Sequence, residues 1–201
     1  MFKKILLVLS LVCGILLGSA LITPAESLYL DTMINGSMES PQGDGDAQET
    51  YIGFEYPIDK FKLNGELLFG SWDGNDNDFN GYELKGGYRI YQDQNNQLYL
   101  TVAGYNRELD DTNQTITGIL IGADGVIALS QKLSAEGSIG YSLNGEIEDN
   151  DANLLNLKLK LNYLLTNDLS AAVGYRYYGC DPKHGGDYNS SGLTLGIDFK
   201  F

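Results

Sequence analysis

Apolar and polar residues alternate along most of the chain beyond Ser27, with a period of two residues. The clearest stretch runs from Leu155 to Tyr163, where apolar residues at odd positions are separated by asparagine and lysine at even positions. In an extended strand, neighbouring side chains point to opposite faces, so one face is apolar and the other polar. A helix would scatter the lysines over all its sides. The pattern therefore predicts β-strands, with no convincing helix.

The same alternation predicts ten strands. In chain order they are Leu28–Ile34, Thr50–Tyr56, Phe61–Ser71, Asn80–Tyr91, Gln97–Arg107, Ile116–Leu129, Leu133–Gly145, Leu154–Leu164, Leu169–Tyr178 and Gly192–Phe201. Most have about the 9–11 residues that a tilted transmembrane strand requires, and the first two are shorter. Eight strands are the alternative count. Either number is even, so both termini of the folded domain lie at the same end.

The connections between these strands alternate in length. Pro57–Lys60, Gln92–Asn96, Ser130–Lys132 and Leu165–Asp168 are short. The longer ones are acidic: Met38–Glu49, Trp72–Phe79, Glu108–Thr115, Glu146–Asn153 and Gly179–Ser191. These five carry the whole excess of the net charge of −14, which argues against nucleic acid as a partner. Short turns alternating with longer loops predict an all-β, closed, antiparallel, up-and-down transmembrane barrel.

Charged residues inside the predicted strands include both signs, which can pair across a narrow lumen. The set that we assign to the lumen is Glu66, Glu83, Lys85, Arg89, Glu136, Lys158, Lys160 and Arg176. A soluble ligand-binding barrel would alternate in the same way with its apolar face inward. Apolar rows on nearly every strand would overfill the small interior of such a barrel, so we predict that they face outward.

Aromatic residues near the strand ends fit two interfacial girdles around such a barrel. The first girdle is predicted to contain Tyr56, Phe61, Tyr91, Tyr163 and Phe201, and the second Trp72, Tyr82, Tyr105 and Tyr177.

The first residues have the pattern of a secretory signal peptide. Lys3 and Lys4 precede an apolar run that is shorter than the roughly 20 residues of a spanning helix. Small residues ending at Ala25 fit a cleavage site, with Ala20 as the alternative. We therefore predict a signal peptide at residues 1–25 and a barrel domain at residues 26–201. Cys180 is then the single cysteine of the exported domain, which excludes an internal disulfide and leaves its role open.

The chain ends in a segment of specific pattern. Thr194, Gly196, Phe199 and Phe201 occupy the polar, glycine, hydrophobic and terminal aromatic positions of one motif. In this motif the chain resembles the small bacterial outer-membrane β-barrel proteins, a porin-like class whose last strand ends in an assembly signal. The resemblance implies export to the bacterial outer membrane and recognition by the barrel assembly machinery, with Phe201 as the key residue.

Candidate catalytic and metal-binding residues are few. His184 is the only histidine, and its glycine-rich surroundings contain no group that would evidently hold it as a general base. Asp73, Asn75 and Asn77 match three positions of a calcium loop, but Asp78 and Leu84 replace its glycine and closing glutamate. We predict no catalytic residue, no metal site and no cofactor. The acidic loops are predicted to be solvated, with weak divalent-cation bridging to lipopolysaccharide phosphates as the open alternative.

These observations favour a non-enzymatic integral outer-membrane barrel with a polar-filled lumen. Its acidic loops would serve surface interaction or envelope integrity, in contact with outer-membrane lipid and lipopolysaccharide. A narrow porin-like channel for small solutes or ions is the alternative, and an outer-membrane hydrolase is the third hypothesis. The sequence leaves the oligomeric state open.

Overall fold

The computed structural model describes residues 27–41, 43–73, 77–109, 114–148 and 150–201. Its ten strands are β1 (Ser27–Ser40), β2 (Gly43–Ile58), β3 (Phe61–Trp72), β4 (Asn77–Gln92), β5 (Asn96–Leu109), β6 (Gln114–Ala128), β7 (Leu133–Ile147), β8 (Asn150–Leu164), β9 (Leu169–Pro182) and β10 (Tyr188–Lys200). Each strand pairs with its chain neighbours, and β1 pairs antiparallel with β10. The predicted closed antiparallel barrel of ten strands is confirmed. Within the described ranges no helix is long and apolar enough to cross a membrane.

The two ends of the barrel differ. Both chain ends of the described barrel and the β2–β3, β4–β5, β6–β7 and β8–β9 connections lie at one end, which we call the turn end. The other five connections lie at the opposite end, which we call the loop end. The predicted signal peptide, residues 1–25, lies outside the described residues.

The strands extend further toward the loop end than the alternation predicted. β1 continues to Ser40 and β2 begins at Gly43, whereas the predicted strands stopped at Ile34 and started at Thr50. Each loop-end connection consequently spans only two to five residues, so the five long acidic loops were a wrong prediction. The prediction failed because glycine and acidic residues indicate exposure to water, which is not the same as the absence of a strand. Here water surrounds the outer face of regular strands that keep their ladder hydrogen bonds.

A β-bulge in β1 explains why the alternation was lost there. The register shifts between Ile34 and Ser37 on the β10 side, and Asn35 has a positive φ of 51°. Asparagine tolerates this conformation better than most residues. The extra residue changes which positions face inward, from odd-numbered Met33 to even-numbered Met38, and both are buried.

Short polar side chains close the turn-end connections. The Asp93 carboxylate accepts backbone hydrogen bonds from Asn95 and Asn96, each at 2.7 Å. Ser130 and Thr166 likewise accept backbone N–H bonds across their turns, each at 3.1 Å. Such side-chain bonds replace ladder bonds where the chain reverses. The side-chain amide of Asn96, which also donates to the Asp93 carboxylate, is the main cause that holds the pKa of Asp93 well below its usual range.

The outer surface carries a continuous apolar belt from the turn end to about the level of Ile34. Leu159 is 50% exposed and Leu161 45%, whereas Lys158 and Lys160 on the same strand point inward. Among the described strand residues within the belt, no charged side chain faces outward. Above the belt, toward the loop end, the outward residues become polar or acidic, as Glu108 and Glu146 do.

Candidate functional site

The barrel interior is divided into a polar half at the turn end and an apolar half at the loop end. The polar half encloses a cavity of about 560 Å³. Its wall includes the exposed turn residues Gln94 and Asn95, so the cavity opens to solvent at the turn end. Its charged lining residues are Glu55, Lys62, Glu66, Glu83, Lys85, Arg89, Asp93, Asp124, Glu136, Lys158, Lys160, Arg176, Asp198 and Lys200. The two signs are equally represented in this set, so the lining is balanced in charge.

Arg176 anchors the deepest part of this cavity. Its Nη1 and Nη2 donate to Oε1 and Oε2 of Glu66 at 2.7 and 2.6 Å, a bidentate pair. Nη2 also lies 3.2 Å from Oδ2 of Asp31. The guanidinium is 3.6 Å from the centre of the Tyr51 ring, so the ring face covers it. These contacts compensate the charge of an arginine that is only 5% exposed.

Two lysines from β8 complete this cluster. Lys160 Nζ lies 3.0 Å from Oδ1 of Asp31 and 2.6 Å from Oδ1 of Asp198. Lys158 Nζ lies 3.7 Å from both Asp31 and Glu66. The Tyr29 hydroxyl donates to Oε2 of Glu66 at 2.6 Å. Strands that are distant in the sequence are thus cross-linked by ion pairs through the lumen.

A second cluster lies against β3, β4 and β6. Asp124 is its centre, with Lys62 Nζ at 3.1 Å and Lys85 Nζ at 3.4 Å. Lys85 also lies 3.3 Å from Glu83, and Lys62 lies 3.5 Å from Glu55. The carboxylates thus alternate with ammonium groups, which keeps like charges apart.

Four charged residues of the cavity wall have no ion-pair partner among the described residues. They are Arg89, Asp93, Glu136 and Lys200, and of these the Asp93 carboxylate accepts hydrogen bonds within its own turn. Glu136 accepts one hydrogen bond, from Nδ2 of Asn162 at 2.6 Å. All eight residues that we assigned to the lumen from the sequence line this cavity.

The loop-end half of the interior is filled by apolar side chains. The buried cluster consists of Met38, Ala47, Tyr51, Leu68, Trp72, Phe79, Ala103, Tyr105, Leu109, Ile116, Leu120, Ile147, Ala152, Leu154, Tyr178, Cys180 and Tyr188. We call it the plug. The expected filling of the lumen by charges and tyrosines therefore describes the turn-end half, whereas the loop-end half is filled mainly by apolar side chains. The strand extensions invert the pattern: toward the loop end apolar residues face inward and polar ones face water.

One ion pair is embedded in the plug. Nη2 of Arg107 donates to Oε1 of Glu49 at 2.8 Å, and the two side chains are 1% and 0% exposed. The Tyr51 hydroxyl also donates to the Glu49 carboxylate. The guanidinium lies 4.1 Å from the ring centre of Phe79 and 4.9 Å from that of Tyr178. Aromatic faces thus replace part of the water that the arginine loses on burial.

Two members of the predicted second girdle are in the plug instead. Trp72 is 3% exposed and Tyr105 9% exposed, and Tyr105 stacks on Tyr178 at 5.1 Å between ring centres. Their positions are inward in the strand alternation, so they cannot reach the membrane interface. Tyr82 does face outward and is 54% exposed.

The C-terminal motif combines inward and outward positions on β10. Thr194 is buried inside the barrel, whereas Phe199 and Phe201 are exposed and in edge-to-face contact at 4.9 Å. A Cβ added at Gly196 would lie 2.0 Å from Oδ1 of Asp31. Glycine is therefore required here for the close approach of the Asp31 carboxylate. Whether the motif acts in assembly stays a prediction.

Little in the described part of the chain supports a catalytic site or a metal-binding site. His184 is exposed in the β9–β10 connection and forms no side-chain hydrogen bond or ion pair there. Among the described residues no three histidine, cysteine, aspartate or glutamate side chains are grouped to hold a metal ion. Asn75 of the calcium-loop pattern lies outside the described residues. Cys180 is fully buried in the plug.

Eight interior charges of the strands lie outside the assigned set: Asp31, Glu49, Glu55, Lys62, Arg107, Asp124, Asp198 and Lys200. Glu49 had been assigned to an acidic loop, and Arg107 is the last residue of the predicted fifth strand. The period of two predicts their inward orientation. Glu49 lies two residues from the inward-facing Ala47 and Tyr51, and Arg107 lies two residues from the inward-facing Tyr105 and Leu109.

A closed up-and-down barrel with an uncharged apolar outer belt has the fold of the outer-membrane β-barrels. No family model and no curated protein matches the chain. Among solved structures, it is similar to the outer membrane protease OmpT from Escherichia coli, with a TM-score of 0.67 and 11% identity over 89% of this chain and 98% of that chain.

The chain is also similar to a bacterial polysaccharide outer membrane secretin, with a TM-score of 0.52 and 14% identity over 78% of this chain and 57% of that one. Neisserial surface protein A has a TM-score of 0.48 and 13% identity over 87% and 96%. At these identities, the similarity to the protease and to the secretin shows the fold alone.

Proposed function

We propose that this chain is an integral protein of the bacterial outer membrane, where it acts as a closed, non-enzymatic barrel. Its turn end faces the periplasm, and its loop end displays acidic strand ends at the cell surface. The observation that carries the proposal is the combination of an uncharged outer belt with an interior that is packed across its loop-end half. Charged side chains on the outer face of the belt would cost several kcal/mol each in lipid, roughly 2–4 for lysine or arginine.

The packed interior favours a scaffold over the narrow channel. Ions would have to cross the plug, where the only charged groups among the described residues, Glu49 and Arg107, are paired with each other. An ion entering this region would lose its water without a free partner. The polar cavity extends from the turn end to Arg176, and beyond it a void of only about 20 Å³ continues toward Arg107.

The surface role rests on the charge distribution at the loop end. The outward carboxylates there include those of Glu39, Asp78, Glu108, Glu146 and Asp181. Their level lies above the belt, where lipopolysaccharide phosphates would be the nearest anions. We therefore retain lipopolysaccharide as the lipid partner, with weak bridging by divalent cations, and the barrel assembly machinery as the partner in biogenesis. The hydrolase hypothesis lacks an oriented base, because His184 is solvated.

Planar-bilayer recordings of the purified, refolded protein test the proposal. We expect no stable conductance steps from wild type, and we expect Phe79→Ala/Tyr178→Ala to open steps because it removes both rings beside Arg107. The matched control is Leu100→Ala/Tyr175→Ala, which removes two exposed side chains of the outer face.

Steady conductance by wild type would contradict the closed-barrel proposal and favour the channel. An interior double variant that stays closed although folded would show that the plug is not what blocks the lumen.

A further inference from the structure

We propose that the turn-end cavity is a binding site for a small zwitterionic solute, one that carries a carboxylate and an ammonium group on a short polar backbone. This inference goes beyond the closed-barrel scaffold and does not depend on whether the protein conducts.

The cavity has the shape of a binding site. It is open at the turn end and closed by the plug, and its volume of about 560 Å³ falls within the range of about 300–1,000 Å³ that ligand pockets have. A solute can therefore enter from one side only and comes to rest against a fixed floor. In the membrane orientation proposed above, that side is the periplasm.

The walls of the cavity are preorganised. Lys62 and Lys160 are each 5% exposed, and both are held by carboxylates on other strands. Arg176 is held from two sides by Glu66 and Asp31. Side chains that are already fixed lose little conformational entropy when a ligand arrives, which favours binding.

The cavity also contains groups that the protein itself leaves unpaired. Arg89 has no carboxylate partner and Glu136 no cationic partner among the described residues, yet both line the same space. Oδ1 of Asn64, which also lines it, is buried without a hydrogen-bond donor. Half-buried charges and a buried acceptor gain free energy when a matching group arrives.

The signs of these unpaired groups define the ligand. A carboxylate on the ligand would pair with Arg89, and an ammonium group on the ligand would pair with Glu136. The balanced charge of the remaining lining adds no strong preference for a net anion or a net cation. A zwitterion of the size of a short peptide satisfies both groups without introducing net charge.

Titration calorimetry of the refolded protein in detergent micelles tests the site, with triglycine as the probe. We expect saturable binding of triglycine. We expect no binding of N-acetyl-triglycine amide, which has the same backbone without its terminal charges, and at least about tenfold weaker binding of acetate. Absence of triglycine binding up to about 10 mM would overturn the proposal. Equal binding of acetate and triglycine would overturn the assignment of a zwitterion.

Variants locate the site within the molecule. Arg89→Gln and Glu136→Gln should each weaken triglycine binding at least about tenfold, because each removes one charge-assisted contact. Lys60→Gln and Glu146→Gln are the matched controls on the exposed turn-end and loop-end surfaces, and they should leave binding unchanged. Folding of every variant is checked by heat-modifiable migration on gels. Folded cavity variants that bind like wild type would contradict the site.

Discussion

Removing the buried carboxylate of Glu49 is expected to destabilise the barrel strongly. In Glu49→Ala, Arg107 keeps its charge in an apolar plug and loses its 2.8 Å carboxylate partner. Breaking a buried pair from one side costs about 3–5 kcal/mol, and the Tyr51 hydroxyl loses its acceptor for about 1–3 kcal/mol more. Because the vacated space lets these groups relax, we expect the free energy of unfolding to fall by about 4–6 kcal/mol.

Tryptophan fluorescence during urea unfolding in micelles measures this change. Trp72 is the only tryptophan and is 3% exposed within the plug, so its emission reports the same region. The matched control is Glu146→Ala, which removes an exposed carboxylate at the loop end. A surface change of this kind is expected to stay within about 0.5 kcal/mol of wild type.

A compensated variant separates the lost pairing from the lost volume. Glu49→Leu/Tyr51→Phe/Arg107→Met removes the charges and the hydroxyl together and leaves apolar groups of similar size. Such replacements are often neutral or stabilising, so we expect this variant to recover most of the lost stability. The reasoning is refuted if Glu49→Ala behaves like Glu146→Ala, or if the compensated variant is as unstable as Glu49→Ala.

The remaining predictions concern the C-terminal strand and His184. Gly196→Ala should lower the free energy of unfolding by about 1–3 kcal/mol, because the added Cβ would collide with the Asp31 carboxylate. The control Gly104→Ala, which has open space around the added Cβ, should leave the free energy of unfolding unchanged. Equal urea midpoints of the two variants would disprove this. Deleting Phe201 should impair assembly in cells, seen as loss of heat-modifiable protein from the outer membrane, while refolding in micelles stays near wild type; normal assembly would show that the motif is misread. His184→Ala should leave stability and any peptide or lipid hydrolysis unchanged, and a loss of measured turnover would revive the enzyme hypothesis.

The strand alternation was sufficient to predict the barrel because the belt obeys a simple rule. Outward positions in the belt must be uncharged, so Leu155–Tyr163 shows the period of two without interruption. The rule changes at the loop end, where water surrounds the outer face and the plug fills the inner one. There Met38 and Ala47 face inward, and the polar residues between them resemble a loop in the sequence alone.

The interior pairing was predictable in kind but not in detail. Lys158 and Lys160 alternate with leucines that face outward, so the sequence alone predicts that the two lysines face the lumen. Which carboxylate each one meets depends on the stagger of distant strands around the barrel, as the contact of Lys160 with Asp31 on β1 shows. Local alternation contains no information on that stagger.

The plug pair was missed for a different reason. The sequence pattern of Glu49 and Arg107 is that of solvated strand ends, and only the closure of the barrel brings them together. Paired charges that are this deeply buried depend on a partner far away in the sequence, which a local pattern cannot provide.

Quenching of tryptophan by lipids that are brominated in the acyl chains tests lipid contact of the outer belt most directly. In a Trp72→Phe background, Leu159→Trp places the reporter on the outward face of β8 within the belt. Asn153→Trp places it outward on the same strand above the belt.

We predict strong quenching for Leu159→Trp, little for Asn153→Trp and little for the native Trp72, which is buried in the plug. Equal quenching at positions 153 and 159, or none at 159 in folded protein, would contradict a barrel that spans the membrane through this belt.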